Sequence, residues 1–493
     1  MGVEVASEGV TIRPSRDEWR NLFSKNRDIL RTSSSVSDAL VSKARVALFE
    51  AIRKHFQELH ALVVARSLPV SLSSYERFLE GDCDGGIVGT GHQATFFHPG
   101  IFRKYLETAR FAKEQGVFAV HVIMDLDETD GGSFCYPVDS QSGDITLEVD
   151  SLRRGDSPFP FYQIFQYSSQ AFEALPPFLG NQANFKKAQE LYKSLDGVPI
   201  AVAHSLARLA FVSDLPIVEV SFATLIQEDD VQKVGEEWRK QGREIHDLYN
   251  SELNAFREER KIKNVANPFP NLKERGQAFE LPFWEYSDDG SRREVVWSDS
   301  GNEITSFLAP RGAMTTVMFR TLFFDFFVHG LGGERYDFFT NRFLARWLGL
   351  EGLEFGVVSE TRYLFSEWHD LRQLRLRVSQ IKDICSHTEN YFGTEIFLKE
   401  QEVELRAQVE KRAELIAALQ RVDDIEGRSR IAHQLNGVNS EIRDYVESVC
   451  GSKWRAKLNT LERGEMAYTC REFPFFCFDW EGDCMGASLG VLS

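Results

Sequence analysis

The sequence predicts an α/β protein: a parallel-sheet core with inserted segments, followed by an antiparallel helical hairpin. Three observations predict it. Residues 87–124 read strand, glycine-bearing turn, helix, strand; a second strand-and-helix stretch runs from 305 to 358; and apolar residues fall on heptad spacing after 398. The first two follow βαβ logic, which builds a parallel sheet covered by helices. The third is a helical seam.

Composition bounds the problem. At roughly 150 residues per domain, 493 residues predict several structural units. A chain that is 43% hydrophobic and 27% charged is ordinary globular material, neither disordered nor collagen-like. The formal net charge of −17 opposes attraction to phosphate backbones and anionic membranes, and no dense basic patch offsets it, so neither nucleic acid nor membrane is expected as a partner. Phe outnumbers Tyr and Trp, 39 against 13 and 8, which points to buried cores. The opening MGVEVASEGV has no basic segment leading into an apolar one, and Ala6 stands where a myristoylation pattern needs Ser or Thr. The most apolar stretch, Thr315 to His329, is interrupted by Arg320 and Asp325 and is too short to span a bilayer. Seven cysteines without a CxxC pair fit reduced thiols, so a cytoplasmic protein is expected.

Along the chain, Val41, Leu48, Ile52, Phe56, Leu59 and Val63 predict a helix over 36–66, within an N-terminal helical segment of residues 1–80. Gly81, Gly85 and Gly86 end it. Ile87 to Thr90 is a strand, Pro99 opens a helix bearing Ile101, Phe102, Tyr105 and Leu106 on one side, and Val117 to Met124 is a second strand. Residues 130–165 read as a turn-rich insertion, 168–195 as helical, Leu215 to Val220 as a strand, and Asp229 to Arg260 as one charged helix. A second insertion, 262–300, holds Pro268, Pro270 and Pro282 and the hairpin-turn signal Asp288-Asp289-Gly290. Then follow a strand at Thr305 to Leu308, a helix at Thr315 to Phe327, a helix at Glu334 to Leu348 and a strand at Phe355 to Val358, closing a core of residues 81–365.

Within 366–465, Leu398, Leu405, Val409, Ile416 and Leu419 form one seam, interrupted by Glu402 and Arg412. A second runs through Ile431, Leu435, Val438, Ile442, Tyr445 and Val449. Residues 423–427 make the turn between them. The hairpin is expected either to project as a dimerisation or lid element or to pack on its parent domain, and 466–493 to return to the core. Cys470, Cys477 and Cys484 lack paired zinc spacing and read as core thiols.

Three polar clusters could carry chemistry. Thr90-Gly91-His92-Gln93 through His98-Pro99-Gly100 lies where the first strand hands over to a helix, and open α/β sheets bind ligands at such points. Gly91 permits a tight turn, His92 and Gln93 offer donors, and His98 stands at the helix cap. Asp125-Leu126-Asp127-Glu128-Thr129-Asp130 follows the second strand. Its crowded carboxylates call for a cation, a basic ligand group or protonation, which suits Mg²⁺ or a substrate amine with one carboxylate as general base. Arg311 and His329-Gly330-Leu331-Gly332-Gly333-Glu334 form the third, a glycine-rich turn into a helix that can cradle an anion.

In this order, Thr90-Gly91-His92-Gln93, the acidic stretch, Arg311 with His329 to Glu334, and the late hairpin resemble the cysteine-adding enzymes of bacillithiol biosynthesis. The resemblance implies a Rossmann-like core related to nucleotidyltransferases, a coiled-coil domain used in dimerisation, and a ligase-like reaction on small molecules. That family's turn usually reads Thr-Gly-Gln-Gln and its acidic stretch Glu-Asp-His-Asp, where this chain has His92 and Asp125-Leu126-Asp127-Glu128. Related class I nucleotidyltransferases carry His-x-Gly-His at this helix; His98-Pro99-Gly100 keeps three positions, and no Lys-Met-Ser-Lys-Ser counterpart is present, so ATP and Mg²⁺ stay open as cofactors.

The expected enzyme joins an amino acid or small carboxylate to an amine-bearing metabolite. His92, Gln93 and His98 bind the anionic part, Asp125 and Asp127 hold the amine or a metal and supply the base, and Arg311 with the Gly330–Gly333 turn completes an anion pocket. Two alternatives stand beside it. Asp125-Leu126-Asp127-Glu128-Thr129 also resembles the DxDxT motif of haloacid-dehalogenase-type phosphatases, in which Asp125 would attack phosphorus, although Asp130 replaces the apolar residue expected next. The other is a non-catalytic scaffold that works through the hairpin.

Overall fold

The computed structural model describes residues 7–81, 85–139, 144–175, 179, 182–212, 215–264, 269–287, 292–300 and 306–480. Asp288-Asp289-Gly290, Pro268, Thr305 and Cys484 from the sequence reading lie outside the described residues. The chain forms two compact units, one of residues 7–136, 148–362 and 471–493, the other of residues 1–6, 137–147 and 363–470. Among the described residues no helix is long and apolar enough to cross a membrane.

The first unit is mixed α/β around a six-stranded sheet. Its strands are β1 (Gly9–Arg13), β2 (Ile87–Gln93), β3 (Phe118–Met124), β4 (Ile217–Ser221), β5 (Phe326–His329) and β6 (Phe355–Thr361), in the order β1-β6-β5-β2-β3-β4. All neighbours are parallel except β1, which runs antiparallel on β6 from Gly9↔Thr361 to Arg13↔Val357. From β2 the chain winds outward through β3 to β4, then returns to β5 on the other side of β2. The winding therefore reverses between β2 and β5, and the loops leaving those two strands diverge.

Sequence explains the burial. FAVHVIM and IVEVS are nearly unbroken apolar runs because strands covered on both faces have no solvent side to mark with polar residues. The exception in β4, Glu219, is fully buried and bonded by Arg208 Nε at 3.0 Å and by Tyr105 Oη at 2.8 Å. Helix α1 (Pro99–Gln115) starts on a proline, ends at Gly116 in the left-handed region (φ 67°) and is buried all round from Pro99 to Ala109. The segment after residue 470 packs on it: Phe475 N–H donates to Phe97 O at 2.7 Å, and the Phe475 ring stacks on Phe102 at 4.0 Å.

Several sequence expectations are corrected. The helix expected over Thr315 to Phe327 stops at Phe323, and Phe326–His329 is strand β5 in mid-sheet. A uniformly apolar run carries no period to separate helix from buried strand. The single helix expected over Asp229 to Arg260 is two, Asp229–Lys240 and Gly242–Glu259, broken where a Cβ on Gly242 would come 2.8 Å from Leu281. The helix of Leu331–Leu348, here α2, starts three residues earlier than expected.

The second unit is helical: α3 (Glu367–Ser386), α4 (Lys399–Arg421), α5 (Ile425–Val446) and α6 (Ser452–Arg463). Ile384, Phe397, Leu405, Val438, Ile442 and Val446 form its core, and α4 and α5 pack as an antiparallel hairpin turned by Asp424, whose side chain caps α5 at Gly427. The two interruptions of the first seam have partners: Glu402 accepts from Gly393 N–H, and Arg412 bonds Cys385 O at 2.9 Å and Glu389 at 2.6 Å. Both tie α4 to the α3–α4 connection. Leu398 and Ile416, read as seam positions, are instead 65% and 44% exposed.

Candidate functional site

At the carboxyl ends of β2 and β5 a cavity of about 410 Å³ opens where the winding reverses. It draws Gly91, His92 and Gln93 from the end of β2, Asp127 from the turn after β3, and His329 with Gly330, Gly332 and Gly333 from the passage of β5 into α2. The three polar stretches read from the sequence therefore share one crevice. Such volumes suit a small metabolite.

Among the lining residues the sequence did not single out, Lys104 carries the charge. Lys104, in the second turn of α1, is 3% exposed, and its Nζ donates to Gly91 O at 2.7 Å. That bond occupies one of three ammonium donors. Burial pulls the amine down to about 7, so a substantial neutral fraction exists near neutrality. The available signal was a lysine amid Phe102, Tyr105 and Leu106, on a face otherwise too apolar to be solvent.

Opposite charge comes from Asp127, whose Oδ2 accepts from Gln93 Nε2 at 3.0 Å. Burial raises its carboxyl above the ordinary range, against the lowering effects of the Gln93 bond and Arg293. His92 is held well below the usual imidazole value by burial and then by Lys104, so it is neutral. Its Nδ1 lies 3.3 Å from Gln93 O, and its ring meets Phe97 edge-on at 5.6 Å.

The far wall is the start of α2. Its cap residue is Gly330, no side chain caps the first turn, and Gly330, Gly332 and Gly333 line the cavity, so the partial positive charge of this helix end lies beside it. A Cβ on Gly333 would stand 2.6 Å from His329 Nδ1, which fixes glycine there. His329 Nε2 lies 2.6 Å from Asp337 Oδ2, though its N–H is poorly aligned on it. Burial alone would raise the Asp337 carboxyl, but His329 and Arg320 hold it below the usual value.

Other expected site residues are placed elsewhere. Asp125 is fully buried and does not line the cavity: Ser221 Oγ donates to its Oδ2 at 2.5 Å and Ala223 N–H to its Oδ1 at 2.9 Å. Burial nevertheless raises it to about 7. Its oxygens are occupied in joining the ends of β3 and β4, which removes it as amine holder, metal ligand or attacking nucleophile. His98 caps α1, its Nδ1 accepting from Gly100 N–H at 3.1 Å, and burial, Arg471 and Lys104 bring it down to about 4. That neutral ring completes its own helix end rather than receiving an anion. Arg311 pairs with Glu280 at 2.7 Å and lies over Trp284, so its charge is engaged away from the cavity lining. Glu334 pairs with Arg13 at 2.7 Å. Thr90 ties β2 to β5 through Val328 O at 2.8 Å, and Gly100 lets α1 approach Glu360 O on β6.

Among the described residues one cluster has metal-ligand types within reach of one another, His246, Asp247 and Glu274. Its hydrogen bonds oppose a metal. The Asn250 amide is fixed by the backbone of Leu272, so its Nδ2 donates to His246 Nε2 at 3.3 Å; the ring proton is then on Nδ1, which donates to Asp247. Arg243 further bonds Asp247 and Glu274. Cys470 and Cys477 are buried thiols outside any disulfide. No protein-family model and no curated protein matches this chain.

Proposed function

We propose that this chain is a small-molecule conjugating enzyme with a Rossmann-like core, joining the carboxyl group of an amino acid or similar small acid to an amine-bearing metabolite. The observation that carries the reading is the convergence of a buried amine, a carboxylate and a bare helix end on one cavity: Lys104, Asp127 and the Gly330–Gly333 turn. In this reading the α2 N–H groups hold the anionic partner and Asp127, oriented by Gln93, holds the ammonium of the other. Lys104 in its neutral form takes a proton from that ammonium, freeing the lone pair with which the amine attacks, the task for which an amine near 7 is suited. Attack forms the C–N bond and expels a carboxyl oxygen, so the acid has to arrive activated. A phosphoryl or nucleotidyl group from ATP would serve, and its oxygens suit the same helix end. The likeness to cysteine addition in bacillithiol synthesis supports this chemistry, and thiols outside disulfides suit a reducing cytosol.

A thermal-shift screen of amino acids, amino sugars and ATP, singly and paired, tests the reading, because a ligand of the native state raises apparent stability. The expected result is a pairwise shift that disappears in Lys104→Met and Asp127→Asn. An unchanged shift in both variants would overturn it.

A further inference from the structure

A second cavity of the α/β unit, about 690 Å³, lies at the opposite rim of the sheet and plays no part in the reading above. It opens between the helices Arg16–Thr32 and Asp38–Arg66, beside Asp325 at the start of β5. Its walls are of two kinds. Leu30, Val41 and Phe49 give an apolar floor, continued outward by Val46, which is 57% exposed. Arg27, Arg31 and Arg45 bring three guanidinium groups to the same space.

The charges are not equivalent. Asp325 is 5% exposed and fully engaged, with Arg45 2.9 Å from its Oδ1, Arg27 3.8 Å from the same oxygen, and Ile87 N–H donating to Oδ2 at 2.8 Å. Two more carboxylates share the lining, Glu50, which lies 3.6 Å from Arg53, and Asp38, exposed at the start of its helix. Arg31 is exposed and has no acidic partner among the described residues. A cavity within the size range of metabolite sites thus presents an apolar floor, the Arg31 guanidinium with no acidic partner among the described residues, and two more guanidiniums held in place by a buried carboxylate. Guanidinium is weakly hydrated and binds carboxylates in a fork, so it retains a carboxylate where an ammonium would not.

We infer that this cavity is a second ligand site, for a small organic anion with an apolar body, such as a medium-chain carboxylate whose headgroup pairs with Arg31 and whose chain lies on Leu30, Val41 and Phe49. It is independent of the reading given for the crevice.

Calorimetric titration of the full chain with octanoate tests it, with octanol as uncharged control. Saturable one-to-one binding of octanoate is expected. Arg31→Glu should weaken it at least tenfold, Val41→Trp should abolish it by filling the floor, and Asp127→Asn in the crevice should leave it unchanged. The thermal midpoints of both rim variants, within a few degrees of the parent, would show that they fold. Absence of saturable binding, equal affinity for octanol, or loss of binding in Asp127→Asn but not in Arg31→Glu would overturn the site.

Discussion

The turns that follow β3 and β5 make opposite use of polarity. After β3 the sequence is dense in carboxylates, and nearly all are consumed internally: Asp125 by Ser221 and Ala223, Glu128 by Arg293 at 2.6 Å, and Asp130 by Gly132 N–H and Arg153. Only Asp127 reaches the cavity. After β5 the turn has almost no side chains, and what it offers is backbone N–H with no cap. A ligand site is made by groups with capacity to spare, and charge density along a sequence does not measure spare capacity.

Substitution separates the two carboxylates sharply, and this is the largest effect expected. Asp125→Ala leaves the Ser221 hydroxyl and the Ala223 N–H buried and unpaired, which costs on the order of 3 kcal/mol. Asp127→Ala frees only the side-chain amide of Gln93, beside an open cavity, and should cost under about 1 kcal/mol. Urea denaturation of both variants checks the ratio, while any ligand shift should vanish in Asp127→Ala. Similar losses of stability would mean that Asp127 is as structural as Asp125.

Lys104 sharpens the comparison through pH. Its amine is lowered in the folded chain from 10.5 to about 7, so the folded state prefers the neutral form. The associated stability is full above the unfolded value and is lost as pH falls through the folded one. Lys104→Met removes that dependence. The variant should therefore gain on the parent as the medium is acidified, by roughly 2.5 kcal/mol between pH 9 and pH 6. Thermal unfolding across that range provides the measurement, and a pH-independent difference would show that the amine stays charged in the fold.

Much of this arrangement was legible. Pro99 after a glycine-bearing strand end, the apolar run of β3 and the glycines at 330–333 placed three loops at one rim of a parallel sheet, and the structure gathers them in one cavity. What stayed hidden has physical causes. Strand β5 lies in an apolar run without a period, so sequence extended a helix through it. Strand β1 is an edge strand of five residues paired with a partner more than 340 positions away, a distance over which local pattern is silent. Lys104 escaped notice because its burial depends on α1 being covered on every side, which the local sequence does not state. Arg311 looked like an anion binder because Glu280, on a strand of another sheet, could not be placed beside it.

The smallest effect concerns His98, which the sequence ranked with His92. The two are six residues apart, and the structure gives them different work: His92 lines the cavity, whereas His98 accepts from Gly100 N–H and caps α1. Loss of a cap costs about 1 kcal/mol, and an imidazole brought down to about 4 cannot acquire charge near neutrality. His98→Asn, which keeps an acceptor at the cap, should be nearly silent, and His98→Ala should lower stability by about 1 kcal/mol without altering ligand binding. His92→Ala should show the reverse, weaker binding at nearly parental stability. If His98→Ala abolished binding while His98→Asn restored only the stability, the imidazole itself would belong to the site, and the division of labour between the two histidines would have to be redrawn.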